Sequence, residues 1–196
     1  MTNLAFAAPE PIKLLPHQQQ PIDYLIKDKD LKGIIVNHYM GTGKTYLGVG
    51  FAEQFKDNDV VILAPRFIEA HWMEHLKNFP VSNLKRFQFV SYNDAPDILL
   101  KKDLSKTIIL MDEVHNLIRL IKSPEPSTNR RYSELYEHLR SSFKIVALSG
   151  TPIYNDEYDL AYLVNLVSGK NLMPFNEEQF RLQFTAIKKG RSFWRG

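Results

Sequence analysis

Residues 33–45 decide the fold, and they read Gly33-Ile-Ile-Val-Asn-His-Tyr-Met-Gly-Thr-Gly-Lys-Thr45. The apolar run at its start predicts a strand over residues 33–38 that is buried on both faces. Residues 44–56 predict a helix. Glycines between a strand and a helix let consecutive backbone N–H groups surround phosphate oxygens, and the helix start adds partial positive charge. The stretch therefore predicts a phosphate-binding loop.

The side chains of this loop indicate a site for a nucleoside triphosphate. Lys44 places a positive charge where the β- and γ-phosphates would lie, and the Thr45 hydroxyl is the expected ligand of Mg²⁺. One departure is His38, which stands where the full pattern has a glycine. A tight turn that merely needs glycines is the alternative, but it leaves Lys44 and Thr45 unexplained. The predicted nucleotide-binding set in the loop comprises Met40, Gly41, Thr42, Gly43, Lys44 and Thr45.

The rest of the chain alternates apolar runs with helical stretches. Strands are expected over residues 60–64, 86–91, 107–111 and 144–148, and helices over residues 67–79 and 156–167. Residues 123–129 are rich in proline and small polar side chains, which predicts a surface loop. Strands separated by helices imply right-handed crossovers. We therefore predict a three-layer α/β fold with a mostly parallel central sheet.

Two acidic residues follow the strand expected over residues 107–111. Asp112 and Glu113 stand at its carboxyl end, which in α/β sheets faces the ligand crevice. Asp112 is placed to hold Mg²⁺, and Glu113 to polarise an attacking water. Phosphoryl transfer needs little beyond metal, charge and positioning. The alternative is a solvated loop with ordinary acids, which the preceding phosphate-binding loop makes the weaker interpretation.

Composition excludes several classes of protein. The 196 residues include no cysteine, so disulfides, thiolate zinc sites, iron–sulfur clusters and a cysteine nucleophile are excluded. This is consistent with a reducing, intracellular compartment. The formal net charge of +3 permits a nucleic-acid partner without requiring one. No apolar run approaches the roughly 18 residues that a membrane span needs.

One motif competes with the phosphate-binding interpretation. His71-Trp-Met-Glu74-His75 fits the His-x-x-Glu-His pattern of a class of zinc peptidases. On a helix, His71 and His75 would share a face. A five-residue match is easily accidental, so we treat zinc binding as the minor hypothesis.

Together these motifs resemble the superfamily 2 helicases and translocases. Asp112-Glu-Val-His115 resembles the DExH form of motif II, and Ser149-Gly150-Thr151 resembles motif III. The other matches are Leu14-Leu-Pro-His-Gln18 with the glutamine motif, Ala64-Pro-Arg-Phe-Ile68 followed by Trp72 with motif Ia, and Ser91-Tyr92 with motif Ib.

The resemblance implies a RecA-like lobe and a role for each matched residue. Lys44, Asp112, Glu113 and His115 would be catalytic, with ATP and Mg²⁺ as cofactors, and Gln18 would contact adenine. The relay from nucleotide state to nucleic acid would involve His115 with Ser149, Gly150 and Thr151. The nucleic-acid track, with DNA favoured over RNA, would lie near Pro65, Arg66, Ser91 and Tyr92.

Longer stretches narrow the resemblance to the Swi/Snf-like helicases of large DNA viruses, of the nucleoside triphosphate phosphohydrolase I type. They are residues 148–155 and 163–167, and Asn116 after the DExH box. If the protein is viral, it would be cytoplasmic or virion-associated. The match implies a lead-in over residues 1–13, an ATP-binding domain over residues 14–186, and a basic tail over residues 187–196 that leads to a second lobe. That lobe, in cis or in trans, would supply the arginine finger.

Two other functions stay open. The chain could be a regulatory module that binds nucleotide or nucleic acid without turnover, although no residue of the phosphate loop or acidic box is visibly broken. It could also be an unrelated phosphate-loop enzyme such as a kinase. The Ser-Gly-Thr stretch and the glutamine motif argue against the kinase.

Overall fold

The computed structural model describes residues 14–37, 43–150 and 156–184. Within these ranges the chain forms a five-stranded parallel sheet with the strand order β1-β5-β4-β2-β3. The strands are β1 (Gly33–Asn37), β2 (Asp59–Ala64), β3 (Phe87–Ser91), β4 (Thr107–Asp112) and β5 (Lys144–Ser149). Each lies within about one residue of the strand expected from the sequence, because continuous apolar runs have clear ends.

Helices cover both faces of the sheet. One face packs against α1 (Pro16–Lys27), α2 (Lys44–Ala52) and α3 (Glu69–Asn78). The other packs against α4 (Ala95–Leu99), α5 (His115–Ile121), α6 (Pro126–Leu139) and α7 (Asp159–Ser168), after which α8 (Glu177–Phe184) follows. The three-layer α/β prediction is therefore confirmed. In the described part of the chain, no helix is both long and apolar enough to cross a membrane.

Side chains of the central strands point alternately to the two faces of the sheet, so one apolar run packs against both helical layers. In β2, Val61 and Leu63 face the layer that contains α5 and α6, while Val60 and Ile62 face α2 and α3. Successive strand side chains point to opposite faces, so a strand covered by helices on both sides must be apolar throughout. β4 and β5 are buried at every position for the same reason.

Two local predictions need correction. The segment 123–129 was expected as a loop, but α6 begins at Pro126, because proline fits the first turn of a helix, where its missing N–H is not needed. The hydroxyls of Ser127 and Thr128 donate to the Glu125 carboxylate just before this helix. The helix expected from residue 156 begins at Asp159.

All five strands run in the same direction, so their carboxyl ends meet at one edge of the sheet. Along this edge lie Asn37 of β1, Ser149 of β5, Asp112 of β4, Ala64 of β2 and Ser91 of β3. Every motif singled out from the sequence, apart from Gln18, follows or includes one of these ends. The topology therefore gathers them along a single line.

Arg86 fixes the far end of the helix that follows the phosphate-binding loop. Its guanidinium donates to the carbonyls of Phe55 at 2.6 Å and Asn58 at 2.8 Å, and also to that of Ala52. It pairs with Glu53 at 3.1 Å, and both side chains are almost entirely buried. The cation therefore lies against the negative end of the α2 dipole.

We expect Arg86→Met to lower the free energy of unfolding by about 3–5 kcal/mol, because the Glu53 carboxylate would stay buried without its partner. Urea denaturation of the purified chain measures this loss.

The matched control is Arg131→Met, which removes the exposed ion pair between Arg131 and Asp97. Exposed pairs contribute little, so a loss below about 1 kcal/mol is expected there. Equal losses in the two variants would show that the Arg86 guanidinium does not stabilise the fold through its burial.

Candidate functional site

The loop predicted to bind phosphate ends in a glycine whose backbone conformation disfavours other residues. Gly43 precedes α2 in the left-handed conformation, with φ of 79°. A Cβ atom built there would come within 2.2 Å of Gln18 Nε2. Lys44 and Thr45 then form the first turn of α2, and the start of a helix favours the binding of an anion. Met40, Gly41 and Thr42 lie outside the described residues.

Gln18 connects α1 to this loop. Its side chain is buried, its Nε2 donates to the Gly43 carbonyl at 3.3 Å, and its Oε1 accepts from the Leu15 amide at 2.9 Å. Both ends of the amide therefore contact main chain next to the phosphate-binding loop. The contact of Gln18 with adenine stays a prediction.

The Asp112 carboxylate is the most tightly held group of the acidic box. Asp112 ends β4, is only 8% exposed, and accepts from Trp72 Nε1 at 3.0 Å and from the Glu113 amide at 3.0 Å, one on each oxygen. Burial raises the pKa of Asp112, while the Trp72 hydrogen bond and the positive charge of Lys44 act in the opposite direction. The sequence assigned Trp72 to motif Ia and predicted no contact between it and Asp112. A contact between residues 40 positions apart leaves no local signal.

The main chain of Asp112 is held as well. The Tyr92 hydroxyl donates to the Asp112 carbonyl at 3.0 Å, and the Tyr132 hydroxyl donates to the Tyr92 carbonyl at 3.0 Å. Burial raises the pKa of Tyr92 well above its usual value, so the phenol stays protonated and remains a donor. Tyr92 was predicted to lie by the nucleic-acid track, and its 4% exposure shows that the ring itself is inside the fold.

Glu113 takes the backbone conformation that turns the chain after β4. Its φ of 51° is the one positive φ among the described residues other than glycine. Such a conformation costs on the order of 1–3 kcal/mol and persists when neighbouring contacts hold it. The Asn116 side chain donates to the Glu113 carbonyl at 2.9 Å, and Glu113 Oε2 lies 3.4 Å from His115 Nδ1.

These groups line one cleft of about 670 Å³, a size typical of small-ligand sites. The cleft contains six residues predicted for the nucleotide site, namely Gly43, Lys44, Thr45, Asp112, Glu113 and His115, together with Tyr46, Pro65, Phe67, Ile68, His71, His75 and Asn116. The threonine hydroxyl and the aspartate carboxylate are hard oxygen donors of the kind that Mg²⁺ prefers.

A second cleft of about 540 Å³ lies beside the first. It is lined by Pro65, Arg66, Phe67, Ser91, Tyr92, Asn93, Asn116, Arg119 and Leu120, so all four residues predicted for the nucleic-acid track are here. Pro65, Phe67 and Asn116 border both clefts. Arg119 was not predicted from the sequence, because one arginine on an amphipathic helix has no distinguishing pattern.

Asp94 organises the rim of this second cleft. It pairs with the Arg66 guanidinium, and its Oδ2 accepts from the Ser91 hydroxyl at 2.7 Å. Ser91 is buried, whereas about two thirds of the Arg66 side chain is exposed. The exposed arginine is therefore held in place by a carboxylate.

Ser149 lies between the two nucleotide motifs. It ends β5, is fully buried, and pairs in register with Asn37 at the end of β1. The neighbouring strand on the other side is β4, which ends in Asp112. Thr151, the third residue of the predicted coupling motif, lies outside the described residues.

The zinc hypothesis gains no support. The rings of His71 and His75 meet edge to face with centroids 4.2 Å apart. Burial and the neighbouring His71 lower the pKa of His75. Over residues 14–37, 43–150 and 156–184, no group of three or more His, Asp or Glu side chains could hold a metal ion.

Comparisons with known proteins agree with the motifs. Residues 11–92 match the family described as type III restriction enzyme, res subunit. The chain is 28% identical over 174 residues to a termination factor NPH-I homolog of African swine fever virus, covering 78% of this chain and 24% of the relative. It is 29% identical over 180 residues to a putative ATP-dependent RNA helicase of Acanthamoeba polyphaga mimivirus, covering 88% of this chain and 36% of the relative.

Solved structures share the fold. The SWI2/SNF2 ATPase core of Sulfolobus solfataricus, determined in complex with dsDNA, superposes with a TM-score of 0.62 at 18% sequence identity. The similarity covers 92% of this chain and 41% of that one. At this identity the match shows the fold, a RecA-like α/β domain. The chain spans about a quarter to a third of the length of the two viral relatives.

We expect Trp72→Phe to raise the pKa of Asp112 further, because it removes a donor that favours the ionised carboxylate. The folded-state pKa of Asp112 lies above its usual value of 3.8, so ionisation of this carboxyl destabilises the fold. The destabilisation is complete at pH values above the folded-state pKa and disappears as the pH falls below 3.8. A carbon-13 titration of the Asp112 carboxyl measures the shift.

Leu76→Met is the matched control, since Leu76 is equally buried on α3 and the swap conserves volume. It should leave the Asp112 titration unchanged. An unchanged titration in Trp72→Phe would mean that the indole does not stabilise the charged carboxylate.

Proposed function

We propose that this chain is the first RecA-like lobe of a superfamily 2 helicase of the viral Swi/Snf-like type, and that it binds ATP and hydrolyses it to drive movement along nucleic acid. One observation carries the proposal. Lys44, Thr45, Asp112 and Glu113 line a single cleft at the carboxyl edge of a parallel sheet. Such an edge is where α/β domains bind their ligands.

Lys44 and the start of α2 hold the triphosphate. The Lys44 ammonium and the positive end of the α2 dipole both favour an anion in the cleft. Gln18, whose side chain donates a hydrogen bond to the Gly43 carbonyl, would contact the adenine. Lysine serves here as a point charge for the β- and γ-phosphates.

Thr45 and Asp112 would hold Mg²⁺. They fit the ion, because Mg²⁺ is usually bound by one or two carboxylates together with substrate phosphates. Burial raises the pKa of Asp112 and thereby disfavours its ionised form. A nearby cation would favour the ionised form and offset this effect. When bound, the ion supplies charge that offsets the phosphate oxygens.

Glu113 orients and deprotonates the attacking water. As the water oxygen bonds to the γ-phosphorus, the bond to the ADP oxygen breaks and the water proton passes to the carboxylate. His115 Nδ1 lies 3.4 Å from Glu113 Oε2 in the same cleft. His115 with Ser149, Gly150 and Thr151 would relay nucleotide state to the track.

A second lobe, in cis or in trans, would complete the catalytic site. None of the described residues that line the nucleotide cleft is an arginine. Arginine fingers contribute about 10³–10⁵ in rate to related phosphoryl transfers. We therefore assign the finger to the second lobe and treat residues 1–13, 14–186 and 187–196 as lead-in, ATP-binding domain and connecting tail.

The second cleft is the proposed nucleic-acid track. Arg66 and Arg119 supply positive charge there, and Ser91 and Tyr92 shape its wall. Phosphate contacts of this kind hold a backbone without reading sequence. DNA is favoured over RNA because the structural neighbour was solved with dsDNA. A viral relative is named an RNA helicase, so both polymers belong in the test.

Glu113→Gln is expected to lower ATP turnover by about 10²–10⁴, because the amide cannot accept the water proton. ATP hydrolysis is measured with the second lobe present, with and without DNA or RNA. Glu134→Gln, on the exposed face of α6, is the matched control and should turn over normally. Hydrolysis absent from the wild-type protein under all conditions would favour the regulatory module instead.

The chain of residues 1–196 alone is expected to hydrolyse ATP at least about 10³-fold more slowly than the two-lobed protein, since the finger is assigned to the second lobe. Steady-state phosphate release from both forms tests this. Rapid turnover by the chain alone that is lost in Glu113→Gln would contradict the need for a second lobe.

A further inference from the structure

The acidic box is held by two buried aromatic side chains from opposite faces of the sheet. Trp72 packs in the layer of α1, α2 and α3 and donates to the Asp112 carboxylate. Tyr92 packs in the layer of α5 and α6 and donates to the Asp112 carbonyl. One contact holds the side chain that would bind the metal, and the other holds the main chain that carries it.

The contact from Tyr92 crosses a strand. β2 lies between β4, which ends in Asp112, and β3, which ends in Ser91 just before Tyr92. The hydroxyl therefore reaches past the end of β2 to the main chain of a strand with which β3 does not pair. This makes the bond a direct link between the outer end of the sheet and its centre.

Tyr92 also belongs to the track. It lines the second cleft, and its neighbour Ser91 bonds to Asp94, which pairs with the exposed Arg66 guanidinium. The Tyr92 carbonyl is held in turn by the Tyr132 hydroxyl. A polymer that shifts the main chain at Ser91 and Tyr92 must therefore shift the hydroxyl that holds Asp112.

The hydrogen bond from Tyr92 to Asp112 can pass on a displacement for two physical reasons. The buried phenol cannot leave its acceptor without leaving its hydroxyl unsatisfied inside the fold, which is unfavourable. Close-packed interiors also pass on displacements instead of absorbing them. The acceptor immediately precedes Glu113, whose φ of 51° persists through surrounding contacts. A displaced Asp112 main chain therefore changes the residue that orients the water.

We propose that Tyr92 is a positioning residue that couples the occupancy of the nucleic-acid cleft to the nucleotide cleft through its hydrogen bond to the Asp112 main chain. The inference rests on the proposed function and adds a route separate from Ser149 and Thr151. Because coupling is reciprocal, each ligand changes the affinity for the other by the same factor.

The test measures that coupling factor in the protein with both lobes present. The dissociation constant of a fluorescent, non-hydrolysable ATP analogue with Mg²⁺ is measured with and without saturating double-stranded DNA or single-stranded RNA. We expect a wild-type factor of about 5–150 and a clearly smaller factor in Tyr92→Phe, where only the route through Ser149 and Thr151 remains. The factor is a ratio, so a uniform loss of nucleotide affinity cancels.

The matched control is Tyr136→Phe. Tyr136 is equally buried on α6, and its hydroxyl donates at 2.8 Å to the Tyr162 carbonyl, away from Asp112. It should keep the wild-type factor. Tyr132→Phe, which releases the Tyr92 carbonyl, should lower the factor and answers the question if Tyr92→Phe is unstable.

The outcomes separate the two proposals. Wild-type protein that binds neither ATP analogue nor nucleic acid overturns the proposed function. Wild-type protein that binds both without coupling, or a folded Tyr92→Phe that keeps the full factor, overturns the role of Tyr92 and leaves the proposed function standing. A loss of coupling in Tyr136→Phe as well would show a general packing effect and also overturn it.

Discussion

The site depends on one buried carboxylate, that of Asp112 at the carboxyl end of β4. Burial disfavours its ionised form, so its place is maintained by the Trp72 indole and the Glu113 amide, which donate to its two oxygens. The Tyr92 hydroxyl holds the carbonyl of the same residue. Since Trp72 and Tyr92 pack on opposite faces of the sheet, both helical layers must be in place before the acidic box takes its shape.

The parallel sheet turns this placement into a pair of neighbouring clefts. β5 alone separates β4 from β1, so the acidic box faces the helix that starts at Lys44. On its other side β2 and β3 end at Ala64 and Ser91, where the second cleft opens. Pro65, Phe67 and Asn116 border both clefts, so a ligand in one lies against the wall of the other. Coupling between two ligands needs such a shared element.

The fold and most of the cleft could be predicted because their signals are local. Apolar runs indicate the strands. Gly43, Lys44 and Thr45 predict a phosphate-binding loop at a strand-to-helix turn. The start of α6 was missed because Pro126 permits either a loop or a first helical turn, and packing of Leu135 and Leu139 decides for the helix. The contacts of Trp72 and Tyr92 with Asp112 join residues 40 and 20 positions apart, so no spacing rule applies to them.

The amino-acid sequence by itself determined the layer architecture, the chemistry of the phosphate-binding loop and the acidic pair, because hydrophobic periodicity and glycine conformation act over short stretches. Through its resemblance to a known family, the sequence also predicted that Ser91 and Tyr92 lie near the nucleic-acid track. Only the tertiary structure decided that Tyr92 turns inward to the Asp112 carbonyl while Arg66 stays exposed beside Asp94. Strand order brings these groups together. That order follows from packing two helical layers on one sheet, a property of the whole chain.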